Sequence, residues 1–204
     1  MSPPPAPPRE AYHHGSLAAA AVAEGLRLLE AGEDLSMRAI ARGVGVAHRA
    51  LFNHFPDRAA FEAALSAQGF SCLAAALSGA PSAAAFLRAF VGFAFDQPAL
   101  YDLMMRQPYA ALETDPALRA AADEVIAVSL AILAPGATSA DAGRRAVMRL
   151  WMLAHGGVSL HRSGVLRTRT DAAFTEELLA IAGLGPDLAA DAQDLWPTPM
   201  EKTA

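Results

Sequence analysis

A chain of 204 residues carrying 16 basic against 21 acidic groups, a formal net charge of -5, is no polybasic coat for nucleic acid, so any contact with a polyanion has to be local. Its single cysteine, Cys72, excludes an intrachain disulfide framework and most structural zinc patterns and fits a reducing compartment, with the cytoplasm as the expected location. Ala, Leu, Arg and Glu outweigh the β-branched and aromatic residues, a balance that predicts an all-α fold.

Residues 1–11 hold five of the fourteen prolines and no hydrophobic period, which predicts an extended arm. Neither this start nor any run of about 18 uninterrupted apolar residues reads as a signal peptide or a membrane span, so no membrane partner is expected. Structure is expected from Tyr12. Ser16 can cap a first helix that places Ala18, Ala21, Val22, Gly25, Leu28 and Leu29 on one face and ends at Ala31-Gly32. Ser36 caps a short second helix, Met37 to about Val44, with Ile40 and Ala41 inward and Arg38 and Arg42 on the polar side. Gly45 stops it. A third helix follows from Ala47 to about His54; Phe55-Pro56-Asp57 breaks it, and Asp57 caps a long fourth.

Further helices are marked by Gly79-Ala80-Pro81-Ser82, by Asp96-Gln97-Pro98, and by Asp115-Pro116 with proline at the tolerated first position. Pro135-Gly136 ends the last of these. Ser139 or Asp141 opens a helix to about Arg162, and Thr170 or Asp171 one to Gly183. The long helix near Asp141–Arg162 is apolar almost all round at Val147, Leu150, Trp151, Ala154 and Val158, and Gly156 and Gly157 permit close approach, so the last two helices are expected to build a homodimer. From Gly185 the prolines suggest a loose tail in which Trp196 can dock.

The stretch Arg38 to Leu51 has the spacing of a helix-turn-helix. Ala41 is small where two helices approach, Gly45 can take positive φ in the turn, and Leu51 plugs the interior. With Val46, Leu51 and Phe55 inward, His48, Arg49 and Asn53 project from the outer side of the third helix. From Ser36 to Arg58 four arginines face one acid, Asp57, a local charge of +3 to which His48 and His54 add donors. The basic footprint lies here.

The run Leu51-Phe52-Asn53-His54-Phe55-Pro56-Asp57-Arg58 after Gly45-Val46 resembles the TetR family of bacterial regulators, whose segment usually reads Gly-Val-Ser-x-x-x-Leu-Tyr-x-His-Phe-x-x-Lys. Tyr12-His13-His14-Gly15-x-Leu17 and Trp151-x-x-x-His155-Gly156 resemble one branch of it. The chain departs from the pattern at Ala47, where Ser or Thr often caps the recognition helix, at Phe52, which lacks the tyrosine hydroxyl, and at Arg58 in place of Lys. The resemblance implies an arm at 1–11, a helix-turn-helix DNA-binding domain at 12–58, a helical ligand-binding and dimerisation domain at 59–185 and a tail at 186–204. It further implies that Arg38, His48, Arg49 and Ala50 face base edges in the major groove of double-stranded DNA, that Phe52 touches sugar or a thymine methyl, and that His54 and Arg58 hold phosphates, with Ala47 and Asn53 also on the DNA-binding surface. The expected function is that of a repressor binding a near-palindromic operator as a homodimer and released by a small-molecule effector.

For the effector cavity, Phe90, Met104, Trp151 and His155 are the candidates, Trp151 and His155 being four apart on one helical face. A core role for them competes, as it does for Phe86, Phe93 and Phe95. The six histidines show no paired ligand spacing with a carboxylate or thiolate, so no metal and no cofactor is expected. Gly43-Val44-Gly45 is the nearest thing to a phosphate-cradling loop, but it lies between helices, and no enzyme activity is expected. The alternatives are a helical interaction module that has lost DNA binding and an all-α enzyme.

Overall fold

The computed structural model of the chain describes residues 14–166 and 170–185. The arm at 1–11, Tyr12, His13 and the tail with Trp196 lie outside the described residues. Among the described residues every regular element is an α-helix. The chain divides into two compact units, 1–65 and 66–204, with the division inside one long helix.

The N-terminal unit holds α1 (His14–Glu30), α2 (Met37–Gly43), α3 (His48–Leu51) and the first turns of α4 (Arg58–Ser78). Helix α1 begins at His14 rather than behind a cap at Ser16, which falls in its first turn. Its inner face is Leu17, Ala21, Gly25 and Leu28, all buried. Gly25 is needed bare, since a Cβ there would come within 2.7 Å of the Phe61 ring of α4. The α1 ladder ends at Gly32 with φ 66°, and Ser36 caps α2 by accepting from the Ala39 N–H at 3.2 Å. Asp57 caps α4 through the Ala60 N–H at 2.8 Å. Ile40, Leu51, Phe55 and Phe61 complete the core, the two phenylalanine rings meeting edge to face at 5.0 Å.

The C-terminal unit contains the rest of α4, then α5 (Ala83–Asp96), α6 (Pro98–Met105), α7 (Tyr109–Thr114), α8 (Pro116–Leu133), α9 (Ala140–Arg162) and α10 (Asp171–Ile181). Ser82, Asp115, Ser139 and Thr170 cap α5, α8, α9 and α10 through their side-chain oxygens. Helix α7 has no sequence signal: Pro108 offers no side-chain cap and no α7 residue is buried. Helix α5 is the central element, burying Phe86, Leu87, Phe90, Val91 and Phe93. Helix α4 is long and apolar enough to cross a bilayer on length and composition. Its Leu73, Ala74 and Leu77 are instead buried in the protein.

Candidate nucleic-acid interface and ligand-domain sites

The turn between α2 and α3 is built as the spacing requires. Gly45 sits at φ 71°, the Val46 N–H closes on the Ala41 carbonyl at 2.9 Å, and Ala41 and Leu51 are buried beneath it. Helix α3 is regular only from His48 to Leu51, shorter than the expected run to His54. Ala47 places no side-chain oxygen over its first turn, and Pro56 has no N–H to prolong it. Residues 52–54 continue as turns, with the His54 and Phe55 N–H groups both on the Leu51 carbonyl at 2.9 Å.

Around this turn Arg38, Arg42, Ala47, His48, Arg49, Asn53 and Arg58 are exposed, while Ala50 and His54 are half-buried. Phe52 is 41% exposed, unusually open for its size, and its ring lies 5.0 Å from the His48 ring at right angles. Charge pairing separates the arginines. Arg27 on α1 is held by Glu24 at 2.9 Å and Glu33 at 3.1 Å; the hydrogen bond with Arg27 keeps the Glu24 carboxyl below its usual range, and the Arg27 guanidinium is pushed further up. Arg58 pairs with Glu62 at 2.6 Å, one turn along α4. No acid among the described residues forms an ion pair with Arg38, Arg42 or Arg49. Arg145 and Arg149 on α9 are likewise exposed and in no ion pair among the described residues, so what distinguishes α2 and α3 is that Arg38, Arg42 and Arg49 gather around one turn.

In the C-terminal unit three of the four candidate cavity residues come together. The Phe90 and Trp151 rings meet at 5.0 Å, Phe90 and Tyr101 at 6.0 Å, and the Tyr101 hydroxyl is hydrogen-bonded to His155 Nδ1 at 2.8 Å. Trp151 Nε1 donates to Ser129 Oγ at 3.3 Å, and Ser129 donates to the Val125 carbonyl at 2.7 Å. Phe90 is fully buried and His155 exposed, so the cluster runs from core to surface. Met104, on α6 with Tyr101, lies close to α4, where a Cβ on Gly69 would meet its Sδ at 2.5 Å. Tyr101 and Ser129 were not singled out in the sequence. Nothing in their spacing marks them, because their role depends on which helices meet. Beside this cluster Asp102 grips Arg162 through two hydrogen bonds of 2.5 and 2.8 Å, a second tie between α6 and α9.

An apolar groove of about 390 Å³ opens between α9 and α10, lined by Met152, Gly156, Leu160, Phe174, Leu178 and Ile181, with Glu177 its one acidic residue. Met152 is 64% and Ile181 62% exposed, and Met148 and Leu160 extend the stripe along α9. Val147, Leu150, Ala154 and Val158, expected to serve association, are instead buried in the chain's own core. The two glycines also divide: a Cβ on Gly157 would meet Leu178 at 2.8 Å, so its close approach is to α10 of the same chain, whereas Gly156 faces open space. Among the described residues no three His, Cys, Asp or Glu side chains gather where they could hold a metal ion. Cys72 is half-buried, with Gln68 Nε2 at 3.5 Å from its Sγ.

Residues 83–181 match the tetracyclin repressor-like C-terminal domain. Among solved structures, a protein of unknown function from Rhodococcus sp. RHA1 is 29% identical, with 83% of this chain and 95% of that one covered at a TM-score of 0.64. The crystal structure of SCO4313, designated a regulatory protein, is 21% identical, with 86% of this chain and 98% of that one covered at a TM-score of 0.64, and shares the fold. No curated protein matches the sequence.

Proposed function

We propose, from the match of residues 83–181 to the tetracyclin repressor-like C-terminal domain, that the chain is a TetR-like transcriptional regulator, a repressor that binds operator DNA through α2 and α3. The observation that carries this reading is the gathering of Arg38, Arg42 and Arg49, exposed and in no ion pair among the described residues, around the turn of a helix-turn-helix in a chain that is acidic overall; Arg145 and Arg149 are also exposed and in no such pair but lie on α9, outside any such turn. A surface held ready for a polyanion should leave its cations uncompensated. The geometry of the turn supports it, since buried Leu51 and Phe55 turn His48, Arg49 and Asn53 outward.

A second copy of the chain covers the α9/α10 groove in this proposal. A contiguous apolar stripe through Met148, Met152, Leu160 and Ile181 is costly to leave in water, and a two-fold dimer would bury it on both partners. Two-fold symmetry in turn calls for a near-palindromic operator. The cluster of Phe90, Tyr101, Trp151 and His155 is the site proposed for a small, largely apolar effector, whose binding lowers DNA affinity by a coupling free energy of about 1–3 kcal/mol.

The test is a gel shift with the DNA upstream of this protein's own coding region at low and high salt. A sequence-preferring complex that weakens as salt rises is expected. A helical interaction module or an all-α enzyme would give no such complex.

A further inference from the structure

We propose that Phe52 acts as a positioning residue for His48, and that the His48 imidazole so held reads a purine N7 next to the base read by Arg49; the inference rests on the DNA-binding reading above. His48 opens α3 and Phe52 caps it, four residues on and on the same helical face. Their rings stand at 90° with centroids 5.0 Å apart, the arrangement that aligns the positive edge of one ring with the negative face of the other.

Among the described residues neither ring makes a hydrogen bond, and the ring contact of each is with the other. His48 is exposed and makes no hydrogen bond to any described residue, and the terminal torsion of a histidine is broad, so its ring has no other fixed orientation. Helix α3 is one turn long and uncapped by Ala47, which leaves little else to order a side chain at its start. Phe52 carries no hydroxyl for a phosphate, and 41% of it stays in water when a smaller residue would fit. Buttressing His48 accounts for both the ring and the missing hydroxyl. An imidazole N–H offered into the major groove finds an acceptor at N7 of either purine, or a less well placed one at thymine O4, and meets a competing donor at cytosine N4, so the contact discriminates most strongly against cytosine on the approached strand.

The experiment compares the wild type with His48→Ala, Phe52→Leu and Phe52→Tyr on the preferred operator and on its full set of single-base variants. His48→Ala and Phe52→Leu should each lower discrimination at the same base pair of each half-site by about tenfold while leaving the other positions unchanged. Phe52→Tyr keeps the ring and should keep the preference. In the protein without DNA, the ring current of Phe52 should displace the His48 ring-proton resonances, a displacement lost in Phe52→Leu and retained in Phe52→Tyr. Uniform weakening by Phe52→Leu on all sequences, altered preference at a pair that His48→Ala does not touch, or unchanged His48 resonances would each overturn the proposal and leave the regulator reading standing. A wild type without any sequence preference would overturn both.

Discussion

The Tyr101 hydroxyl and His155 Nδ1 share a hydrogen bond of 2.8 Å that ties α6 to the middle of α9, with the Tyr101 ring buried and the histidine open to solvent. Burial pushes the Tyr101 phenol up, with the nearby Asp102 carboxylate adding to it. Above about pH 10 an unfolded chain releases this proton while the folded chain retains it, so the unfolded state binds fewer protons and stability must fall as pH rises. Tyr101→Phe should cost about 1 kcal/mol near neutrality, because water can replace the phenol at His155. It should then lose less stability than the wild type between about pH 9 and 11. Thermal melts across that interval check this, and parallel declines for the two proteins would contradict it.

Gly156 and Gly157 offer a matched pair on one helix. Alanine gains the same helix propensity at both, but only at Gly157 does the new methyl meet Leu178 at 2.8 Å and Phe174 at 3.2 Å. Gly157→Ala should therefore be less stable than Gly156→Ala by about 1–3 kcal/mol, the usual cost of overpacking. Urea unfolding of both variants in a Met152→Glu background, where the groove is expected to be unoccupied, measures the difference.

Association should respond to the groove and not to the buried face of α9. Met152→Glu and Ile181→Glu place charge on exposed side chains that line it, and each should yield a folded monomer in sedimentation at micromolar concentration. Dimers persisting in both variants would remove this groove from the interface.

The N-terminal unit was legible in the sequence because its signals are local. Ser36, Gly45, Leu51 and Asp57 each act within a few residues of their own position, and each does what its type and spacing require. What stayed illegible depends on which helices meet. Gly157 suits close approach to any neighbour, and only the fold reveals that the neighbour is α10 of the same chain. Tyr101 reads as one more core aromatic until α6 lies against α9, and α7 forms without a cap or a buried face to announce it. Helix α3 ends earlier than its breaker suggests for a related reason: Pro56 marks only where the helix must already have stopped, and Ala47 supplies no side-chain cap to hold its single turn.

Arg58 is expected to hold a phosphate, yet it already pairs with Glu62 at 2.6 Å. A phosphate has to draw it away from that carboxylate. Glu62→Gln removes the competing charge, so it should tighten binding to every DNA sequence alike and steepen the salt dependence, with the base preference unchanged. Titrations of operator and random DNA at several salt concentrations would show this; tightening confined to the operator would contradict it.

In the proposed complex α3 enters the major groove with Arg49 toward the bases and Arg58 toward the backbone. Arg49→Ala and Arg58→Ala remove the same charge and should fail differently. For Arg49→Ala, binding to the preferred operator should fall by about 1–3 kcal/mol, with preference relaxed at one base pair per half-site and little change on random DNA. For Arg58→Ala, binding should weaken on all sequences in proportion, and the salt slope should shrink by about one per half-site. The measurement is a titration of both variants against the operator, a single-base variant and random DNA across a salt series. Opposite patterns of specific and nonspecific loss are the predicted result; losses in the same proportion for both variants would contradict the docking of α3 in the groove.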